Sequence, residues 1–166
     1  MTIYLVVPLL LGVGLLQATV IPHLTVWGIS PDLPLLVVVS WGILRGAQQG
    51  ALWGFVAGLV LDFFSGAPFG AATLSLMAAG FLAGLASAGV SGSQAILPLV
   101  ITLVATLVYD LLFLLITQLS GDTVLWLDTL LRLVLPAAAL NMILMPAIFV
   151  GMRWTSNRFS AREIEI

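Results

Sequence analysis

Apolar residues run in helix-length blocks along this chain, separated by short stretches of Gly, Pro, Ser and Asp. The first block, about Ile3 to Ile21, can cross a hydrocarbon layer, which takes roughly 20 helical residues. Pro22, His23 and Trp27 follow as an interfacial stretch, where tryptophan is favoured. Ser30-Pro31-Asp32 reads as a helix start, with a capping hydroxyl, a proline in the first turn and an acid near the positive end of the dipole. The second block continues from Pro31 to about Leu44 and is short enough to stand upright. After a polar turn at Arg45–Gln49, which contains Gly46, the third block spans about Gly50 to Phe64. A tight turn at Ser65–Gly70, with Gly66 and Gly70, leads into a fourth at about Ala71 to Ala88. Beyond the loop Val90–Gln94 lies the fifth, Ile96 to Leu119, and beyond Ser120–Asp128 the sixth, Thr129 to Met152. Pro136 and Pro146 interrupt the last block, as membrane helices tolerate. The pattern predicts an all-α membrane protein: a bundle of six transmembrane helices over residues 1–152 and a short polar tail over 153–166.

Composition supports that class. Hydrophobic residues make up 61% of the 166 and charged residues only 7%, against roughly a quarter in soluble domains. The blocks are too long for the alternating, roughly ten-residue strands of an outer-membrane barrel. There is no cysteine, which excludes disulfides and thiolate chemistry. The N-terminus, MTIYLVVPLL, has no basic region and no small-x-small cleavage site after it, so it reads as a retained span. All five basic residues are arginines, at 45, 132, 153, 158 and 162, too few and too scattered for a nucleic-acid face. Arg45 and the tail belong in the cytoplasm by the positive-inside rule. Four spans separate them, so both fit on one side, and the N-terminus joins them. Asp122 and Asp128 then fall outside, and Arg132 is the exception to the rule.

Within the third block glycine recurs every fourth position. The register runs Gly42, Gly46, Gly50, Gly54 and Gly58, then Asp62, then Gly66 and Gly70. Four-residue steps drift about 40° each around a helix, so Gly50, Gly54 and Gly58 form a curved strip while the outlying members make turns. Gly80 and Gly84 repeat the spacing in the fourth block. Such strips let backbones approach closely, either within the bundle or against a partner helix. Asp62 stands where strip gives way to turn. It pairs with Arg132, at similar depth, or takes up a proton or ligand, or caps the fourth helix through amides around Gly70 to Ala72. Asp110 lies deep in the fifth block, next to Tyr109. It suits proton or cation coupling, or a hydrogen bond to Asn141 on the sixth.

Other chemistry is excluded. His23 is the only histidine and has no clustered acid or cysteine, so neither a metal site nor a cofactor is expected. No serine has a histidine–acid pair, and no GK[ST] follows the glycines.

Two long stretches carry a family resemblance. LLQATVIPHLTVWGISPDLPLLVVV and RGAQQGALWGFVAGLVLDFFSGAPFGAATL, with RLVLPAAALNMILMPAIF later, resemble the bacterial rod shape-determining protein MreD family. The matching features are the glutamine-small-Thr end of the first block, Pro31-Asp32-Leu33, the glycines leading to Asp62, Gly66 and Gly70, and Arg132, Pro136, Asn141 and Pro146 in that order. The resemblance implies a multi-pass protein of the bacterial plasma (inner) membrane that belongs to the cell-elongation machinery and has no enzymatic role. It implies the shape protein MreC as partner. Through MreC it implies RodA, a class B penicillin-binding protein and the MreB filament. It also implies an architecture similar to the substrate-binding S-components of energy-coupling-factor transporters. The expected function is a scaffold that binds MreC and helps position peptidoglycan synthesis. The alternative is a small-molecule-binding membrane transport subunit with a cavity near Asp62, Asp110 and Arg132.

Overall fold

A computed structural model describes residues 12–15, 17, 19, 30–88 and 96–160 of the chain, the last five of these by their backbone alone. Most of the first block, His23, Trp27, the Val90–Gln94 loop and the end of the tail lie outside the described residues. Those described are helical apart from short connections. The helices are α1 (Leu33–Arg45), α2 (Ala47–Phe64), α3 (Ala71–Ala88), α4 (Leu97–Leu119), α5 (Trp126–Thr129) and α6 (Leu135–Ser160), with one π-helical turn, Leu130–Val134, joining α5 to α6. Among the described residues, three helical stretches are long enough and carry a window apolar enough to cross a membrane: Ala71–Ala88, Leu97–Leu119 and Trp126–Thr155. α1 is apolar but only 13 residues long.

α1 is the centre of the bundle. Every residue from Pro34 to Gly42 is buried, and the helix touches α2, α3, α4 and α6. A helix apolar on all sides belongs in a core. In a bilayer the gain is close packing and dispersion rather than escape from water. Ser40, fully buried, returns its hydroxyl to the Leu36 carbonyl and lies 3.6 Å from Met145 Sδ on α6. Near the end of α1, Trp41 stacks on Trp53 of α2 at 4.2 Å, and the Arg45 guanidinium sits 5.3 Å from the Trp41 ring centre. α1 and α6 run in the same direction, with Asp32 beside Asn141 and Ser40 beside Met145. Arg45 and Arg153 are therefore at one end of the bundle, and Arg132 is at the other.

Several boundaries differ from the sequence expectation. The cap of α1 is Asp32 rather than Ser30, and Pro34 supplies the first-turn proline. A carboxylate immediately before the helix reaches the Leu35 amide, which Ser30, two residues further back, is not placed to do. α2 begins at Ala47 instead of Gly50, because a single residue, Gly46 at φ 92°, turns the chain. The last helix begins at Trp126 instead of Thr129 and runs on to Ser160, past the expected limit at Met152. No glycine or proline follows Gly151 before Ser160, and leaving an apolar layer does not itself stop a helix.

The π turn has a local cause. Pro136 has no N–H for the Arg132 carbonyl, and its ring would crowd that carbonyl in a regular helix. The Leu135 amide instead bonds five residues back to Leu130, widening the turn.

Candidate functional site

Two polar constellations sit in the apolar bundle, joined by a seam of glycines. The seam lies between α2 and α3. A Cβ on Gly50 would strike the Gly80 carbonyl. One on Gly54 would strike the Leu76 carbonyl and come within 2.8 Å of Met77 Cα. On Gly58 it would meet Thr73 Cα, and the Ala72 carbonyl at 2.7 Å. From the other side, Gly80 faces the Gly50 carbonyl and Val38, and Gly84 faces the backbone of Gly46 and Ala47. The Gly50–Gly54–Gly58 strip is thus occupied by α3, and no partner helix can lie on it. Gly42 of α1 joins the same contact, 2.6 Å from the Gly80 carbonyl for an added Cβ.

At the far end of the seam Asp62 closes the α2–α3 turn. Its Oδ2 accepts from the Gly70 amide (3.0 Å), the Thr73 amide (3.0 Å) and the Thr73 hydroxyl (2.5 Å), and its Oδ1 accepts from the Ala72 amide (3.0 Å). These are the free amides of the first turn of α3, where a helix attracts negative charge. Gly70, at φ 98°, makes the approach possible. Gly66 has open space around it and ordinary backbone geometry.

An Asp62–Arg132 ion pair is not formed. Among α1 to α6, α2 touches only α1 and α3, so Asp62 lies on the wrong side of the bundle. Arg132 instead bonds Asp128, one turn away, at 2.6 Å, with the two side chains 80% and 57% exposed. Exposed pairs of this kind contribute about 0–1 kcal/mol. Arg132→Ala is accordingly expected to leave thermal unfolding in detergent nearly unchanged, and a loss of several degrees would show that the pair carries more than its exposure implies.

The second constellation surrounds the start of α1. The Gln17 side chain donates to the Pro31 carbonyl (3.0 Å) and accepts from the Leu33 amide (3.1 Å), which ties Gln17 to the start of α1. Asn141 of α6 accepts from the Asp32 amide (3.0 Å) and reaches Thr106 of α4 at 3.5 Å. Tyr109 is buried on α4, three residues beyond Thr106. One amide side chain thus joins three helices at the point where α1 begins. The expected Asp110–Asn141 bond is absent, because Asn141 is engaged one turn away, at the level of Thr106. Asp110 Oδ2 is buried and has no hydrogen-bond partner among the described residues.

The structure therefore brings Asp62 to the α3 amides, and Asn141 to Asp32 and Thr106. Asp62, Asp110 and Arg132 do not share a cavity. A recess of about 440 Å³ lies elsewhere, at the α4–α5 turn, lined by Val124–Asp128 and Leu131. No group of three or more potential metal ligands occurs among the described residues. Asp32 is legible in the sequence as part of a helix start, whereas the contacts of Gln17, Thr73 and Thr106 are not. Of these last three, Gln17 carries a visible signal, being strongly polar inside the first apolar block.

The family model described as rod shape-determining protein MreD matches residues 1–154 of the chain. No curated protein and no solved structure matches the chain.

Proposed function

The chain belongs to the rod shape-determining protein MreD family, and from that premise we propose that it is a non-enzymatic scaffold of the bacterial cell-elongation machinery, holding an MreC-type partner in the inner membrane. Through that partner it acts on RodA, the class B penicillin-binding protein and MreB, and helps position peptidoglycan synthesis. The reading takes residues 1–152 as six spans, with both termini in the cytoplasm. The shared end of Arg45 and Arg153 supports that orientation under the positive-inside rule.

One observation carries the proposal. α1 to α3 form a compact half held by backbone-to-backbone contact, while α4 and α6, which bury a smaller share of their apolar span than α3 does, keep apolar side chains turned outward. Val100, Val104, Leu111, Leu115, Ile143 and Val150 are examples. A fixed half and a long apolar face suit a protein that positions a neighbouring helix, since membrane helices associate by surface packing. Co-purification in mild detergent with the MreC-type protein of the same genome tests the reading. A stable complex at near-equal stoichiometry is expected. A chain that is folded and monodisperse but never retains the partner refutes it.

A further inference from the structure

Asp110 holds an acceptor that nothing uses. Among the described residues its Oδ2 is buried and receives no hydrogen bond, which is costly inside an apolar bundle. Four residues back on the same flank of α4 stands Thr106, 1% exposed, whose hydroxyl takes the Asn141 Nδ2 bond at 3.5 Å. That is longer than the roughly 2.7–3.2 Å of a well-made bond. An asparagine amide also carries two N–H groups, and only this one is engaged among the described residues. A weakly held donor on α6 therefore lies one turn from an empty acceptor on α4. The acceptor is about 6 Å farther toward the Arg132 end, the rise of four residues.

α6 is seated in a way that permits such a step. The α2–α3 seam is locked by backbone against backbone at the glycines. The last helix and its π turn instead bury Val134, Ala138, Met145 and Met152. Alanine presents little to interlock, and methionine repacks at low cost. The helix is also interrupted on both sides of Asn141. The π turn precedes Pro136, and Pro146 offers no N–H to the Met142 carbonyl. The segment between the two prolines can shift with adjustment at these points and keep its own hydrogen bonds. Packed helices take up discrete positions about a turn apart, because interdigitated side chains do not deform continuously.

We propose that α6 has two seats against α4. In the one described, Asn141 donates to Thr106. In the other, displaced toward the Arg132 end by up to about 6 Å, it donates to Asp110. The 3.0 Å bond from the Asp32 amide favours the first seat, and the unused Asp110 oxygen favours the second. Leaving the first seat frees the Asp32 amide, so the start of α1, where Gln17 also bonds Pro31 and Leu33, loses its strut from α6. The pair of seats thus links the position of the last helix to the start of the central one.

The test uses the full chain in nanodiscs. It has no cysteine, so Ile143→Cys on α6 and Leu74→Cys on α3, both at exposed positions, carry a unique pair of spin labels. Electron–electron distance measurement is expected to show a major component and a minor one separated by up to about 6 Å. Thr106→Val should raise the ratio of minor to major about threefold to tenfold, the effect of one hydrogen bond. Asp110→Leu should abolish the minor component. One component, the same in the unmodified chain and in both variants, overturns the second seat. If Thr106→Val does not fold, the unmodified chain and Asp110→Leu decide between them: a minor component present in the first and lost in the second supports the two seats, and identical distributions refute them.

Discussion

Leucine in place of Gly58 is expected to separate α2 from α3 and to cost more than any surface change in this chain. The added Cβ would land on Thr73 Cα and the Ala72 carbonyl, which are backbone atoms that cannot rotate aside. Overpacking a well-filled core costs about 1–3 kcal/mol, and more where the obstacle is backbone. A value of at least about 3 kcal/mol is therefore expected here. Alanine at the same position should also destabilise, since the Cβ alone collides, whereas alanine at Gly66, with nothing within 4 Å, should be tolerated. Unfolding in detergent followed by tryptophan fluorescence is a suitable readout, because Trp41 and Trp53 stack within the same half of the bundle. If Gly58→Leu unfolds with Gly66→Ala, the close approach of the two helices is not what holds them.

The second large effect is expected at Asp62. Asp62→Ala removes the acceptor for three amides and one hydroxyl in a side chain only 4% exposed. Unsatisfied buried donors cost about 1–3 kcal/mol each, while hydrogen bonds measured in membrane bundles average nearer 0.6. A loss of about 2–4 kcal/mol follows, with local opening at the start of α3. Asp62→Asn keeps one acceptor oxygen but turns an NH₂ toward donors, so it should recover part of the loss and not all. Hydrogen exchange at Ala72 and Thr73 measures this directly. Protection that survives Asp62→Ala would mean that those amides are held by something else. Because Arg132 is remote from Asp62, restoring charge balance there should rescue neither variant.

The residues themselves show how far the sequence could be read. Helix-length apolar blocks and scarce charge were sufficient for a helical membrane protein, because a bilayer forces backbone hydrogen bonds to close within each segment. Glycine spacing was sufficient for a packing strip on the third block. Which helix covers the strip was not legible, since Gly50, Gly54 and Gly58 would suit α3 or a foreign helix equally well. The same holds for the polar groups. Asp62 had two plausible partners, the amides eight to eleven residues ahead and the arginine at similar depth, and only helix adjacency separates them. Depth along a helix can be counted from sequence, but azimuth around the bundle cannot. Asn141 illustrates this, since it lies at a depth that suits Asp110 yet points to Asp32 and Thr106 one turn away.

What this sequence by itself determined was everything that depends on neighbours along the chain: the apolar blocks, the turns at Gly46 and Gly70, and the register of glycines that ends at Asp62. Those follow from backbone geometry and from the cost of placing polar groups in lipid, both of which act within a few residues. Tertiary structure alone decided that the glycine strip closes on α3, that Asp62 binds amides and not Arg132, and that Asn141 gathers three helices at the start of α1. These depend on which helix faces which, and in lipid that is set by the fit of whole surfaces, since no hydrophobic gradient ranks one apolar face above another.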